Sequence, residues 1–271
     1  MESAKIFWQS QSGNTYACVL KAKEALEEAG CSVSLSHILS GAPDAGGADL
    51  LVFAFPVYNF KPATAMAEFM EKMPACSKET PALALITCTG LMANIPYLLR
   101  KKLKPKNILL AEAVKIPASE TYILLRKYFK GTMELDSRLN DTELEGVKSQ
   151  IAGILNGGLK KKTYIFNPFS LWHWLGKMSP EAAPGKPFQK RSWDEEKCTL
   201  CGDCYALCPS GSITRSGDKL SVNTSTCVGC CGCFNICPSS AWKMDNFGEE
   251  YFLKNRHAAE LVRAIKSSTK H

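Results

Sequence analysis

The feature that most constrains this chain is one cysteine spacing that occurs twice. The pattern C-x2-C-x2-C-x3-C-P starts at Cys198 and again at Cys227, so a shift of 29 residues superposes the two copies. Proline follows each fourth cysteine, where it ends a short helical turn because it has no N–H group. This stretch is therefore an internal repeat. Its eight cysteines are Cys198, Cys201, Cys204, Cys208, Cys227, Cys230, Cys233 and Cys237.

The spacing is typical of cysteines that hold 4Fe–4S clusters. Structural zinc usually takes two C-x2-C pairs, which would leave the third cysteine of each run without a role. A disulfide framework suits a secreted chain, but the first residues lack the basic and apolar regions of a signal peptide. We therefore expect two 4Fe–4S clusters, an electron-transfer role and a cytoplasmic location. Cys231 lies outside the pattern, and we expect it to pack as a small apolar side chain or to replace a lost neighbouring ligand.

Most of the chain must form something else, since the repeat occupies only about residues 195–245 of 271. Residues 1–156 alternate strand-like and helix-like segments, and the apolar run Asp49–Val57 is typical of a strand buried on both faces of a parallel sheet. We predict a doubly wound α/β domain with a five-stranded parallel sheet. The predicted strands are Lys5–Gln9, Ser32–Leu39, Asp49–Val57, Leu83–Cys88 and Ile108–Val114, and the predicted helices are Tyr16–Glu28, Ala63–Lys72, Tyr97–Lys102, Asp141–Asn156 and, in the tail, Arg256–Ile265.

The turn after the first predicted strand, Ser10–Thr15, is polar. Hydroxyls at Ser10, Ser12 and Thr15, with backbone amides around Gly13, suit a phosphate at a helix N-terminus. The turn has no lysine, which argues against a nucleoside triphosphate, and no G-x-G-x-x-G pattern, which argues against a dinucleotide. A phosphomonoester such as that of FMN fits this turn, and an ordinary Ser/Gly-rich turn is the alternative.

These motifs together resemble those of a known protein class. The turn S-Q-S-G-N-T is similar to the flavodoxin phosphate loop, (T/S)-x-(T/S)-G-x-T. With the cysteine repeat, the chain resembles the flavodoxin–ferredoxin fusion proteins of anaerobic bacteria and archaea, over roughly residues 4–156 and 195–245. The organisation that this implies is a flavodoxin-like FMN-binding domain at 1–156, a linker at 157–194, a small α+β bacterial-type ferredoxin domain with two clusters at 195–245, and a C-terminal tail with a helix at 246–271.

The resemblance also implies which residues hold the clusters. In two-cluster ferredoxins the fourth cysteine of each run binds the other cluster. The implied ligand sets are Cys198, Cys201, Cys204 and Cys237 for one cluster, and Cys227, Cys230, Cys233 and Cys208 for the other.

For FMN, the resemblance implies a phosphate loop and two segments beside the flavin ring. Tyr58 is expected to pack on the ring, because a tyrosine offers a flat apolar face and a polar tip, or else to be a plain loop aromatic. Cys88 is expected to be a packed thiol or to touch the flavin. The implied FMN contacts are Ser10, Ser12, Asn14 and Thr15 with the backbone of Gln11 and Gly13 at the phosphate, and Pro56, Tyr58, Asn59, Phe60, Thr87, Cys88, Thr89 and Gly90 at the ring.

The formal charge of +7 counts every cysteine as neutral. Each oxidised cubane contributes a charge of about −2 and a flavin phosphate one of about −2, which gives the protein with its cofactors a net charge of about +1. We therefore expect no nucleic-acid partner. No apolar run approaches the ~18 residues that span a bilayer, so we expect no transmembrane segment. The basic run at residues 100–106 is either a solvated face or a docking site for an acidic ferredoxin-like partner.

The predicted function is electron transfer between the two clusters and FMN, and to or from a redox partner protein in anaerobic metabolism. The alternative is an FMN-dependent reductase that receives electrons through the clusters and acts on a small molecule. Its substrate would bind under the insertion Ile116–Asn140, where Glu120, Tyr122 and Lys127 are candidate acids.

Overall fold

The chain forms two compact units. A computed structural model describes residues 1–40, 42–58, 60–119, 121, 139–160, 162–170, 174, 191–244 and 258–268. By its contacts, unit 1 comprises Met1–Ser10, Asn14–Ala118 and Leu139–Met178, and unit 2 comprises Gln11–Gly13, Ser119–Arg138 and Ser179–His271. The stretch predicted as a linker, 157–194, is thus divided between the two units.

Unit 1 is built on a six-stranded sheet. Its strands lie in the order β2-β1-β3-β5-β6, all parallel, and the short strand β4 pairs antiparallel with β3 off this path. The elements are β1 (Ser3–Trp8), α1 (Asn14–Glu28), β2 (Ser32–His37), β3 (Leu50–Tyr58), β4 (Lys61–Pro62), α2 (Thr64–Lys72), β5 (Thr80–Cys88), α3 (Ile95–Leu103), a 3-10 turn (Lys104–Lys106), β6 (Ile108–Pro117) and α4 (Asp141–Asn156).

The sheet is buried on both faces because strands β3 and β5 at its centre are apolar at almost every position. On one face, alternate side chains such as Phe7, Phe53 and Phe55 pack in a single cluster with residues of α2 and α3. The side chains between them, such as Ile6 and Val52, are equally buried, and α1 contacts β1, β3 and β5. Successive side chains of a strand point to opposite faces, so helices cover both.

This arrangement confirms the predicted fold class. Without the hairpin strand β4, the order of the five parallel strands is 2-1-3-4-5, which is the flavodoxin-like version of the doubly wound fold. Each predicted strand and helix of unit 1 is present, with ends shifted by up to three residues. Strand β6 runs on to Pro117 and so includes the first residues of the predicted insertion. Glu120, Tyr122 and Lys127 lie outside the described residues.

Unit 2 repeats its structure as it repeats its sequence. Its elements are β7 (Arg191–Trp193), α5 (Asp203–Leu207), β8 (Ile213–Ser216), β9 (Lys219–Val222), α6 (Gly232–Ile236), β10 (Trp242–Met244) and α7 (Ala258–Ser268). The 29-residue shift carries α5 onto α6, β8 onto β10 and β7 onto the end of β9. Since β7 pairs with β10 and β8 pairs with β9, each small antiparallel sheet combines one strand from each half of the repeat.

The tail helix α7 is amphipathic. Leu261 and Ile265 are buried on one side of it, and Lys266 forms an ion pair with Asp203 at 2.6 Å. This extends the predicted tail helix by three residues to Ser268. Across the described ranges, no helix is both long enough and apolar enough to cross a membrane.

Candidate functional site

Three neighbouring strands of unit 1 end at one edge of its sheet, and the predicted flavin segments follow these strand ends. In the parallel register Trp8 of β1 lies opposite Ala54 of β3, and Pro56 of β3 lies opposite Thr87 of β5. The sheet order reverses between β1 and β3, and ligands of open α/β sheets bind outside the carboxyl ends of strands at such a point. The residues predicted to hold FMN therefore follow the two strands that flank this reversal, β1 and β3, and the neighbouring strand β5.

The turn after β1 is polar and buried. Ser10, Gln11, Ser12, Asn14 and Thr15 are all at most 7% exposed. Gly13 has a φ of 99°, which only glycine adopts readily, and it lies directly before the first residue of α1. The first turn of α1 has no acidic residue that would repel an anion. A buried run of hydroxyls and amides at a helix N-terminus fits a phosphate group.

A hydrogen bond joins the two outer segments of this edge. The Oγ1 atoms of Thr15 and Thr87 lie 2.7 Å apart, and both side chains are buried. This pair fixes the start of α1 against the end of β5. The start of α1 and the segment that begins at Thr87 are therefore held together in unit 1.

The segment after β3 is a narrow hairpin, although it was predicted as a loop. Strand β3 continues through Pro56 to Tyr58, and Tyr58 pairs with Lys61 of β4. Proline is tolerated in β4 because this two-residue strand pairs only with β3. Tyr58 and Phe60 are half-buried. Asn59 lies outside the described residues.

The segment after β5 turns toward β6. The hydroxyl of Thr89 donates to the carbonyl of Ala118 at 3.1 Å, and Gly90 is exposed. Burial raises the pKa of the Cys88 thiol, partly offset by Lys115. Because only a thiolate is a strong nucleophile, this favours the packing role for Cys88.

The eight repeat cysteines line two cavities in unit 2. We call them cavity A and cavity B. Cavity A is lined by Cys198, Cys201, Cys204 and Cys237. Cavity B is lined by Cys208, Cys227, Cys230 and Cys233, with Cys204 and Cys231 also at its wall. Each cavity thus combines three cysteines of one run with the fourth cysteine of the other run.

Backbone and side-chain groups around the sulfurs suit a cubane. The amide of Gly229 donates to the Cys227 sulfur, and the amide of Ala241 donates to the Cys237 sulfur, both at 3.3 Å. Such hydrogen bonds stabilise cluster sulfur and influence its potential. Within the described ranges, no three His, Cys, Asp or Glu side chains converge on a single metal ion. A cubane instead places its ligands on different irons.

Three pairs of left-handed residues show that the two runs share one backbone conformation. Positive φ angles occur at Leu200 and Gly229, at Gly202 and Cys231, and at Gly211 and Ser240, and each pair is separated by the repeat shift. Cys231 therefore occupies the conformational position that glycine holds in the first run. It is buried, and its thiol donates to the carbonyl of Gly229 at 3.5 Å. These contacts favour a packing role for Cys231.

Sequence reasoning missed one charged group of this site, Arg191. Arg191 lines cavity B and donates a hydrogen bond to the Cys227 sulfur. Burial opposes the charge of the guanidinium, but Cys227, Cys233 and Cys230 outweigh it, so the pKa of Arg191 is raised. The prediction placed this residue in the linker. The repeat shift aligns Arg191 with Leu220 of β9, but no sequence pattern places either residue beside the cysteines.

Comparison with known proteins decides the nature of unit 2. Residues 190–238 match the family described as "4Fe-4S dicluster domain". Unit 2 contains a 4Fe-4S dicluster domain. No curated protein matches the chain. The chain therefore joins a flavodoxin-like α/β domain to a dicluster domain, as its resemblance to flavodoxin–ferredoxin fusions predicts.

Solved structures similar to the remainder include two flavodoxins and one enzyme. A flavodoxin from the domain Archaea is 15% identical with a TM-score of 0.41, and covers 57% of this chain and 97% of its own. Flavodoxin 1 from Bacillus cereus is 13% identical with a TM-score of 0.38, and covers 57% and 98%. NAD(P)H:quinone oxidoreductase from Methanothermobacter marburgensis is 11% identical with a TM-score of 0.38, and covers 56% and 98%. Because these identities and TM-scores are low, the fold of unit 1 is assigned from its strand order.

Proposed function

We propose that this protein is an electron-transfer flavoprotein. It passes electrons between two 4Fe–4S clusters and FMN, and to or from a redox partner protein in anaerobic metabolism. The observation that carries the proposal is the pair of four-cysteine cavities in a dicluster domain, in a chain whose other unit has the flavodoxin strand order. When bound, FMN supplies one- and two-electron chemistry beside the one-electron clusters.

Eight cysteines are proposed as cluster ligands, divided as the cavities divide them. Burial raises the pKa of the Cys204 thiol to about 12, partly offset by a hydrogen bond from Trp242, and Cys201 and Cys237 raise it further. A thiol with such a pKa stays protonated at neutral pH, so cluster assembly must displace its proton. The proposed sets are Cys198, Cys201, Cys204 and Cys237 at cavity A, and Cys227, Cys230, Cys233 and Cys208 at cavity B.

The FMN phosphate is proposed to bind at the buried polar turn. The side chains of Ser10, Ser12, Asn14 and Thr15 would donate to its oxygens, together with the amide of Gly13. Tyr58 would pack on the flavin ring, and the segment 87–90 would donate backbone amides to the ring edge. Gln11 is proposed to contribute its backbone.

The partner surface is proposed on the basic run at residues 100–106. Lys102 pairs with Glu71 at 2.7 Å, and Lys106 donates to the carbonyl of Glu71 at 2.8 Å, so these two lysines fasten the end of α3 to α2. Lys101 and Lys104 are exposed. They offer positive charge to an acidic redox protein. The reductase alternative depends on an insertion that is mostly outside the described residues, so no catalytic role is assigned there.

Cofactor analysis of the full chain tests the proposal. After anaerobic reconstitution, we expect about eight irons, about eight sulfides and about one FMN per chain. Fewer than about seven irons, or no flavin, would contradict it.

A second experiment tests the phosphate turn separately. Hydrogen bonds to a charged group contribute about 1.5–3 kcal/mol each, so FMN should bind at least about tenfold more tightly than riboflavin, which has no phosphate. Ser12→Asp should weaken FMN binding through charge repulsion and affect riboflavin much less. Ser77→Asp, which adds the same charge at an exposed position of unit 1 outside the proposed flavin segments, is the control. Equal affinity for the two flavins would place the phosphate elsewhere.

A further inference from the structure

The two cavities are lined by matching positions of the repeat, but at two of these positions they differ in charge. Cavity B has Arg191 where the repeat shift places Leu220 in cavity A. Leu220 is buried and apolar. The two clusters would therefore lie in cavities whose lining positions correspond but whose charges differ.

The position of Arg191 is fixed by its strand. Its backbone pairs with Met244 of β10, and its Nε and Nη2 atoms are buried. A guanidinium is always protonated in proteins, and a buried cation is costly unless an anion faces it. A cubane with four thiolate ligands carries about −2 when oxidised and about −3 when reduced, so Arg191 favours the reduced form more.

Other differences between the cavities are smaller. Cavity A has Asp203 where cavity B has Gly232. Lys266 lies 2.6 Å from Asp203 and largely offsets its charge, while also donating to the carbonyl of Cys201 at 2.9 Å. Trp242, whose indole N–H is a neutral hydrogen-bond donor, lines cavity A where cavity B has Ile213. This neutral donor stabilises the reduced state less than a full charge does.

We propose that Arg191 makes the two clusters unequal, so that the cluster of cavity B has the higher reduction potential and receives the electron from the cluster of cavity A. One electron is transferred, the cluster of cavity A is oxidised and the cluster of cavity B is reduced, and no proton or bond is exchanged. The first electron comes from an external one-electron donor. Arg191 acts through its positive charge and takes no part in the transfer itself. The proposal rests on the proposed function, because it requires both clusters.

The test is an anaerobic redox titration of the reconstituted full chain, with dithionite as reductant and electron paramagnetic resonance as readout. The wild-type protein should show two separate one-electron potentials. Arg191→Leu copies the residue of cavity A. In this variant the equilibrium constant for reduction of the higher-potential cluster should fall at least about tenfold, which lowers its potential by about 59 mV for one electron. The lower potential should stay in place.

Three variants separate charge from structure. Arg191→Lys keeps the charge and should keep the higher potential close to its wild-type value. Lys219→Leu removes a charge from an exposed position beside Leu220 and should change neither potential. If Arg191→Leu fails to retain iron, Arg191→Gln, which keeps a donor without the charge, should show the same fall.

The other possible results contradict either the role of Arg191 or the proposed function. A wild-type chain with about eight irons and one shared potential, or charge-removing variants that leave both potentials unchanged, would overturn this inference alone. A fall in Arg191→Lys as large as in Arg191→Leu would show that the charge is not the cause. A wild-type chain with too few irons would instead overturn the proposed function.

Discussion

Replacement of Cys237 tests whether each cluster takes its fourth ligand from the other run. Sequence proximity would assign Cys237 to the same cluster as Cys233, but Cys237 lines cavity A with Cys198, Cys201 and Cys204. Cys237→Ala should therefore remove the intact cubane of cavity A and leave that of cavity B. The reduced wild-type chain should show about two spins from intact cubanes, and the variant about one.

Double variants identify which cluster is lost. Cys201→Ala affects cavity A and Cys230→Ala affects cavity B. Combining Cys237→Ala with Cys201→Ala damages one cluster twice, so about one spin should remain, whereas combining it with Cys230→Ala should leave about none. Cys231→Ala is the control and should keep about two spins, because Cys231 is assigned to packing. The opposite pattern in the two double variants would refute crossed ligation.

Three further predictions concern unit 1. Thr87→Val removes the buried hydroxyl that pairs with Thr15; it should lower the unfolding free energy by about 1–3 kcal/mol in denaturant titrations and weaken FMN binding. Burial lowers the pKa of His37 to about 4, so the unfolded chain takes up a proton below about pH 6.5 that the folded chain does not. Stability should therefore fall by about 2 kcal/mol between pH 7 and pH 5, and His37→Phe should show a smaller loss. Asn140→Ala breaks the capping box with Glu143 and should cost about 1 kcal/mol, with faster amide exchange in the first turn of α4.

The sequence was sufficient for the order and type of the main elements because their signals are local. Apolar runs such as Asp49–Val57 are typical of strands buried on both faces, and the pattern of Leu144, Val147 and Ile151 defines one buried face of α4. The hairpin formed by β4 was missed because two residues that include a proline carry no strand pattern. Its pairing depends on the end of β3 rather than on its own sequence.

The difference in charge between the two cavities could not be predicted from the sequence pattern, for a different reason. Arg191 begins a three-residue strand whose partner, β10, is about 50 residues away, and no periodicity marks so short a segment. It was therefore interpreted as part of a linker. Only the pairing of β7 with β10 brings the guanidinium to the cysteines of the second run.

The most direct test of the central claim is the number of electrons that one chain accepts. Two cubanes accept one electron each and FMN accepts two, so anaerobic reductive titration of the reconstituted wild-type protein should require about four electrons per chain. The absorbance changes should include both iron–sulfur and flavin bands. An uptake of about two electrons, with only one of these two kinds of band responding, would contradict the account.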